Sequence, residues 1–265
     1  EIRNGQSKAG TINQAGDMDM AWFTAATGDV VKIRIGDRTG SSSFVGAIYL
    51  YGPDGQYIAS ASGDQVAEIV TTITSNGTYQ VECRETDVTT GGYALSILWR
   101  DSGHELYEDL DLQEIENGQT LTGTINLAGD MDAAWFNAAA GDVICIRGAD
   151  RTGSSSFNLL VSLYGPNGET ISSASGSGDV TASFTVTITN SGPYLVECRE
   201  TDVTTGSYSL SAIWEDGGHA FSTNNPCLGT LENGATLLGT ISTAGEMDAA
   251  LLTVEAGDVV CVRGA

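Results

Sequence analysis

Lysine is nearly missing from this chain: Lys8 and Lys32 are the only two in 265 residues. With 11 Lys and Arg against 34 Asp and Glu, the net charge is −23. A surface that negative repels phosphate backbones and anionic headgroups, which argues against nucleic acid and membrane surfaces as partners. No apolar run approaches the ~20 residues that cross a bilayer, so no membrane insertion is expected. Histidine is limited to His104 and His219, which follow Trp99 and Trp214 outside the repeated segments. A Ser-His-Asp arrangement within a domain therefore has no histidine to use. G-x-S-x-G, H-E-x-x-H and the phosphate-binding G-x-x-x-x-G-K-[ST] are missing as well, and the chain is not expected to be an enzyme. Proline is scarce, 4 residues against 34 glycines, which points to tight turns rather than a proline-rich stalk. The chain opens at Glu1 with no charged and apolar leader, so if the protein is secreted its signal is already gone.

What the sequence does have is a repeat. Ile2-Arg3-Asn4-Gly5-Gln6 recurs 113 residues on as Ile115-Glu116-Asn117-Gly118-Gln119, and again as Leu231-Glu232-Asn233-Gly234-Ala235. A period of this length suits whole β-sandwich domains and is too long for small solenoid units. Val30–Arg34, Ala47–Tyr51, Thr78–Cys83 and Tyr93–Trp99 are short β-rich runs, several of them alternating. Turn signals separate them, among them Thr27-Gly28-Asp29, Gly52-Pro53-Asp54-Gly55, Ser75-Asn76-Gly77 and Thr90-Gly91-Gly92. The expected fold is all-β: tandem jelly-roll-like β-sandwich domains of about eight strands each. Residues 1–100 form the first sandwich, 101–114 an acidic linker, 115–214 the second sandwich, 215–230 a second linker, and 231–265 an incomplete third copy. That third copy is read as a fragment of a longer chain or as a unit completed by strands from a neighbour.

The copies do not drift evenly. Glu82–Tyr93 and Glu197–Tyr208 differ only at Gly92 and Ser207, and Asp37–Ser43 is repeated unchanged as Asp150–Ser156. The stretch between them, Val45–Val81 against Asn158–Val196, keeps only about half of its paired positions, although loops ordinarily vary more than strands. Two readings stand: recent duplication with patchy drift, or polar loops that make a repeated contact from copy to copy or chain to chain.

Several motifs in order resemble the bacterial pre-peptidase C-terminal domain and related collagen-binding sandwiches. They are Gly10-Thr11-Ile12, Gly16-Asp17-Met18-Asp19 with Trp22-Phe23 behind it, Gly28-Asp29-Val30-Val31, Tyr49-Leu50-Tyr51-Gly52-Pro53-Asp54-Gly55, Asn76-Gly77-Thr78-Tyr79 and Gly92-Tyr93-Ala94-Leu95. The second copy repeats the pattern through Gly129-Asp130-Met131-Asp132 and Leu163-Tyr164-Gly165-Pro166-Asn167-Gly168. The family's aromatic residue follows its second Asp by one or two positions, whereas here Met20-Ala21 or Ala133-Ala134 intervene, and the third copy has Leu251-Leu252 instead. The resemblance implies a secreted, non-catalytic sandwich, appended to hydrolases or strung along prokaryotic surface proteins.

Calcium is the one cofactor the residues suggest, because it takes several carboxylate and carbonyl oxygens. Asp17 and Asp19, and Asp130 and Asp132, form Asp-x-Asp pairs at loop-to-strand junctions, and Glu246/Asp248 repeats them. The competing reading is an Asx turn that caps the strand start. Asp109, Asp111 and Glu114 in the first linker are a second candidate set. Among the five cysteines, Cys83 aligns with Cys198 and Cys145 with Cys261, while Lys32 occupies the equivalent place in copy 1. Alternation puts Lys32, Arg34 and Cys145 on the outward face and Cys83 on the apolar one. Three schemes stay open: a bond within copy 2 (Cys145–Cys198), staples between successive copies (Cys83–Cys145 and Cys198–Cys261), or buried free thiols. Cys227 is left over beside Pro226. The functional expectation is an extracellular structural repeat protein that self-associates into a rod, filament or matrix; the alternative is a non-catalytic module of a secreted hydrolase with a collagen-like protein or a glycan as ligand.

Overall fold

Alternation of period two commits one face of each strand to a core and turns the other away from it. In the computed structural model, which describes residues 1–100, 113–178, 180–215 and 229–264, the alternating runs are strands and no described residue is helical. Copy 1 contains β1 (Gln6–Ile12), β2 (Met18–Ala25), β3 (Val30–Asp37), β4 (Gly46–Tyr51), β5 (Tyr57–Gly63), β6 (Val66–Thr72), β7 (Gly77–Glu85) and β8 (Gly91–Arg100). Copy 2 contains β9 (Thr120–Ile125), β10 (Met131–Ala138), β11 (Val143–Asp150), β12 (Asn158–Tyr164), β13 (Thr170–Ser177), β14 (Ala182–Thr187), β15 (Gly192–Glu200) and β16 (Gly206–Glu215).

The two sheets of copy 1 run β1-β8-β3-β6 and β2-β7-β4-β5, and those of copy 2 run β9-β16-β11-β14 and β10-β15-β12-β13. Every ladder within them is antiparallel. The first strand of a copy pairs with the eighth, the second with the seventh, the third with the sixth and the fourth with the fifth. This is a long hairpin rolled into a sandwich, the jelly roll expected from the sequence. The hairpin tip is the Gly52–Gly55 turn, closed by Gly55 N–H donating to Gly52 O at 2.9 Å, with Gly55 at φ 77°.

Each copy has its own core. In copy 1, Phe23 stacks on Tyr79 with ring centroids 5.6 Å apart and meets Trp99 at 5.5 Å. In copy 2, Phe136 stands 5.8 Å from Tyr194 and 5.1 Å from Trp214. Aromatic contacts of this geometry add about 0.5–1.5 kcal/mol each beyond the area they bury.

The motif that opens each copy ties it shut. Ile2 and Asn4 are buried, and Gly5 adopts φ 76°. That turn lets the Asn4 carboxamide pair with the backbone of Trp99 like a short strand: Asn4 Nδ2 donates to Trp99 O at 3.0 Å and Trp99 N donates to Asn4 Oδ1 at 2.8 Å. Asn117 holds Trp214 in the same way, at 2.8 and 2.9 Å.

Among the described residues at the third copy only a short parallel pairing forms, between β17 (Gly229–Thr230) and β18 (Ala250–Leu251), with Leu231 N–H donating to Leu251 O at 2.7 Å. The equivalent ties in the complete copies are Ile2 N–H to Trp22 O and Ile115 N–H to Trp135 O. Its turns survive, as in Glu246 N–H to Thr243 O, but its ladders do not. The topology gives the reason. The first three strands of a copy pair with the sixth, seventh and eighth and never with one another, and residues 231–264 align with the first three only.

Candidate functional site: the face between copies

Lys32 and Arg34 point outward from β3, as alternation requires, yet both are buried. What covers them is copy 2. Lys32 Nζ donates to both carboxylate oxygens of Glu197 on β15, at 2.9 and 2.8 Å, and to Tyr164 Oη on β12 at 3.1 Å. It also lies 5.4 Å from the Tyr164 ring centroid. Arg199 Nε stands 3.0 Å from the same glutamate. Arg34 sends Nη1 to Gly129 O at 3.3 Å and Asp130 O at 3.4 Å, and Nη2 to Glu200 O at 3.3 Å. Its Nε is 3.4 Å from Glu68 Oε2. Burial, then the nearby Arg199 cation, lowers the Arg34 pKa from its ordinary value, and the ring of carbonyl acceptors compensates for lost hydration.

Apolar and backbone contacts complete the face. Leu98, Met131 and Ala133 form a small buried cluster with Leu195 against it. Gly36 lets the two backbones approach: a Cβ there would lie 2.2 Å from Ala128 O. The Ser7 hydroxyl bonds both Ser96 Oγ and Asp130 Oδ1.

The same faces meet again between copies 2 and 3. Cys145, at the place of Lys32, lies with its Sγ 3.8 Å from Met247 Sδ, and Met247 is the counterpart of Met131. The Ser211 hydroxyl donates to Gly245 O at 3.0 Å, and Ser209 bonds Ala244 O. Gly245 is the counterpart of Gly129, whose carbonyl faces Arg34. Thus the β3-type face of one copy twice covers the start of the second strand in the next.

The aspartates singled out by spacing are divided between two tasks. Asp17 accepts the Asn13 amide at 2.8 Å and Asp130 accepts the Asn126 amide at 3.1 Å, closing the turn before the second strand. Glu246 accepts the Ser242 hydroxyl at 2.8 Å and closes the same turn through the Thr243 and Ser242 amides, which lowers its pKa. Asp19 instead accepts Tyr93 Oη at 2.8 Å, and Asp132 accepts Tyr208 Oη at 2.6 Å, across the sandwich interior. Among the described residues no three His, Cys, Asp or Glu side chains converge as a metal group. Asp109, Asp111, His104, His219 and Cys227 lie outside the described residues, and Glu114 forms a single parallel bridge with Trp135.

The staples Cys83–Cys145 and Cys198–Cys261 are not formed, nor is Cys145–Cys198: all four are free thiols. The alternation of faces explains why. Cys83 and Cys198 sit inside the cores of their own copies, whereas Cys145 looks out at the next copy and Cys261 is exposed. Burial pushes the Cys83 thiol up to about 12.

The loops that resist drift bond each other within a copy. Asp37 accepts the Thr39 amide at 2.7 Å, Glu85 accepts the Asp87 and Thr89 amides at 2.8 and 3.2 Å, and the Thr89 hydroxyl crosses to Ser43 O at 3.1 Å. Asp150, Glu200, Thr204 and Ser156 repeat the arrangement, so a change in either loop disturbs its partner.

No protein-family model and no curated protein matches this chain. Similar solved structures include the pre-peptidase C-terminal domain of the collagenase from Bacillus anthracis, 22% identical, covering 38% of this chain and 94% of that one with a TM-score of 0.32. They also include PliG, a periplasmic inhibitor of g-type lysozyme, from Aeromonas hydrophila (17% identity, 40% and 96% covered, TM-score 0.33) and from Salmonella Typhimurium (18%, 40% and 99%, 0.29). A pre-peptidase C-terminal domain is thus among the structural neighbours, as the motif order leads one to expect.

Proposed function

We propose that this chain is an extracellular structural repeat protein whose sandwich copies stack face on face into a rod or surface assembly. The observation that carries the reading is the buried Lys32–Glu197 pair with Arg34 beside it, a polar contact between copies that is fully enclosed. Its counterpart around Cys145 and Met247 gives the stacking a repeating rule. The carboxylates of the Asp-x-Asp pairs are engaged in turns and in the sandwich interior, which favours a non-catalytic role. Electron microscopy of the purified chain tests the reading: rods or fibres are expected, and separate particles would overturn it.

A second reading has one observation in its favour. Met18, Met20, Trp22 and Tyr57 are exposed on the β2-β7-β4-β5 sheet of copy 1, a surface that suits a collagen-like protein or a glycan. Retention of separate particles on collagen or polysaccharide would favour it. Calcium at Asp17/Asp19 and Asp130/Asp132 stays a proposal with a direct test: Tm rises with calcium over chelator if the ion binds, and an unchanged Tm rejects it.

A further inference from the structure

Bonding within a copy accounts for part of each unchanging loop pair and leaves the rest. Asp37, Thr39, Glu85 and Thr89 are held by the bonds described above, and the Ser41 and Ser43 hydroxyls by one another at 2.7 Å. Arg38 N–H to Gly92 O at 3.0 Å, and Arg151 N–H to Ser207 O at 2.9 Å, fasten the two loops of each copy into one patch. The side chains of Arg38, Ser42, Asp87 and Thr90 take no part in that frame, yet Arg151, Ser155, Asp202 and Thr205 repeat them without a change. These side chains lie off the stacking faces. Copy 2 is covered by copy 1 on one face and by the start of copy 3 on another, and still Arg151, Ser155 and Thr205 are exposed and Asp202 is half-buried.

Arg38 and Arg151 are unpaired cations in an acidic chain. Lys32, Arg34, Arg84 and Arg199 each stand 2.8–3.4 Å from a glutamate oxygen. Arg38 and Arg151 form no ion pair among the described residues, although the chain holds 34 carboxylates. Asp37 and Asp150, next to them in sequence, are buried and accept the Thr39 and Thr152 amides. In the companion loop, the exposed Asp87 carboxylate accepts no hydrogen bond among the described residues, and Asp202 accepts Asn158 Nδ2 at 3.3 Å. Each patch therefore fixes a cation and an anion on one frame without joining them. Such a surface is complementary to itself turned around.

We infer that these loop patches pair with those of a second molecule of this chain, Arg38 and Arg151 of each molecule meeting Asp87 and Asp202 of the other. The same surface serves both partners, so the contact is isologous. It uses side chains other than those of the Lys32 junction, and it adds a side-by-side contact to the stacking reading without resting on it. Exposed ion pairs are weak singly. Two patches on one chain act together, because the first contact raises the effective concentration for the second. The net charge of −23 opposes the approach, and salt at about 0.15 M screens that repulsion beyond about 8 Å.

Two variants of the full chain test the pairing. Arg38→Asp with Arg151→Asp makes both patches wholly acidic, and Asp87→Arg with Asp202→Arg makes them wholly basic. Sedimentation velocity and electron microscopy are expected to show the parent associated side by side. Each variant alone is expected to lose that association, although their net charges move in opposite directions, and an equal mixture of the two is expected to regain it. Matching thermal melts show that both variants are folded. A parent without side-by-side association, a single variant that keeps it, or a mixture of folded variants that fails to regain it overturns the contact. A parent that stays unassociated but is retained on an acidic polysaccharide through the arginines assigns the patch to a glycan and overturns it too. Single rods from each variant, paired again on mixing, support both readings. Single particles that pair on mixing support this contact and refute the rod.

Discussion

Lys32 Nζ and the Glu197 carboxylate meet at 2.8 Å from different copies, with side chains 4% and 0% exposed. Breaking a buried pair typically costs about 3–5 kcal/mol, and Arg199 Nε, 3.0 Å from the same carboxylate, keeps the loss of Lys32 at the low end, whereas replacing both partners by apolar groups is often neutral. Lys32→Met is therefore expected to destabilise the stacked pair by about 3 kcal/mol. Lys32→Met with Glu197→Leu is expected to recover most of the loss. Urea unfolding of the full chain measures both; a double variant no better than the single one contradicts the pairing.

Asn4→Ala removes both hydrogen bonds to Trp99 and leaves a buried strand end without its clamp. A loss of about 2–3 kcal/mol is expected in copy 1, and Asn117→Ala is expected to do the same in copy 2. Tryptophan fluorescence during denaturation reads it directly, since Trp99 and Trp214 are the clamped residues.

At Gly10 an added Cβ would lie 2.3 Å from the Tyr93 ring. Gly10→Ala is expected to cost about 1–3 kcal/mol by displacing the ring. The same change in a Tyr93→Ala background should cost much less, because the obstacle is gone. Equal penalties in both backgrounds, measured by thermal melting, would show that the ring is not what the glycine accommodates.

Cys83 and Cys261 should differ sharply towards a maleimide at pH 8. Cys261 is exposed, whereas Cys83 is buried with its pKa raised from 9.0 to about 12. Folding keeps the Cys83 proton on, so its contribution to stability is present below about pH 9 and is lost as the pH rises towards 12. Mass spectrometry after brief labelling should find Cys261 modified and Cys83 untouched until denaturant is added.

Much of the architecture could be read before any coordinates, because half-buried antiparallel strands carry their orientation in every second residue. That rule put Cys83 inside, and Lys32, Arg34 and Cys145 outside. It could not say what lies beyond the outer face: Lys32 is outward-facing and still enclosed, because another copy sits there. The unchanging loops were visible too, but local composition does not name a partner. Thr89 proves to reach Ser43 in its own copy rather than a neighbour. The cysteine staples failed for a related reason. Alignment of repeats shows which thiols are equivalent, and only the sandwich shows that two of them are sealed within separate cores.

The pairing of first strand with eighth and third with sixth also constrains how the chain is made. Nothing that emerges early from the ribosome can be satisfied by its immediate neighbours; the opening third of each unit waits for its closing third. Such distant pairings slow folding and make it close to all-or-none within a unit. Synthesis in this order yields finished units one at a time, with a single unsatisfied stretch trailing behind the last complete one.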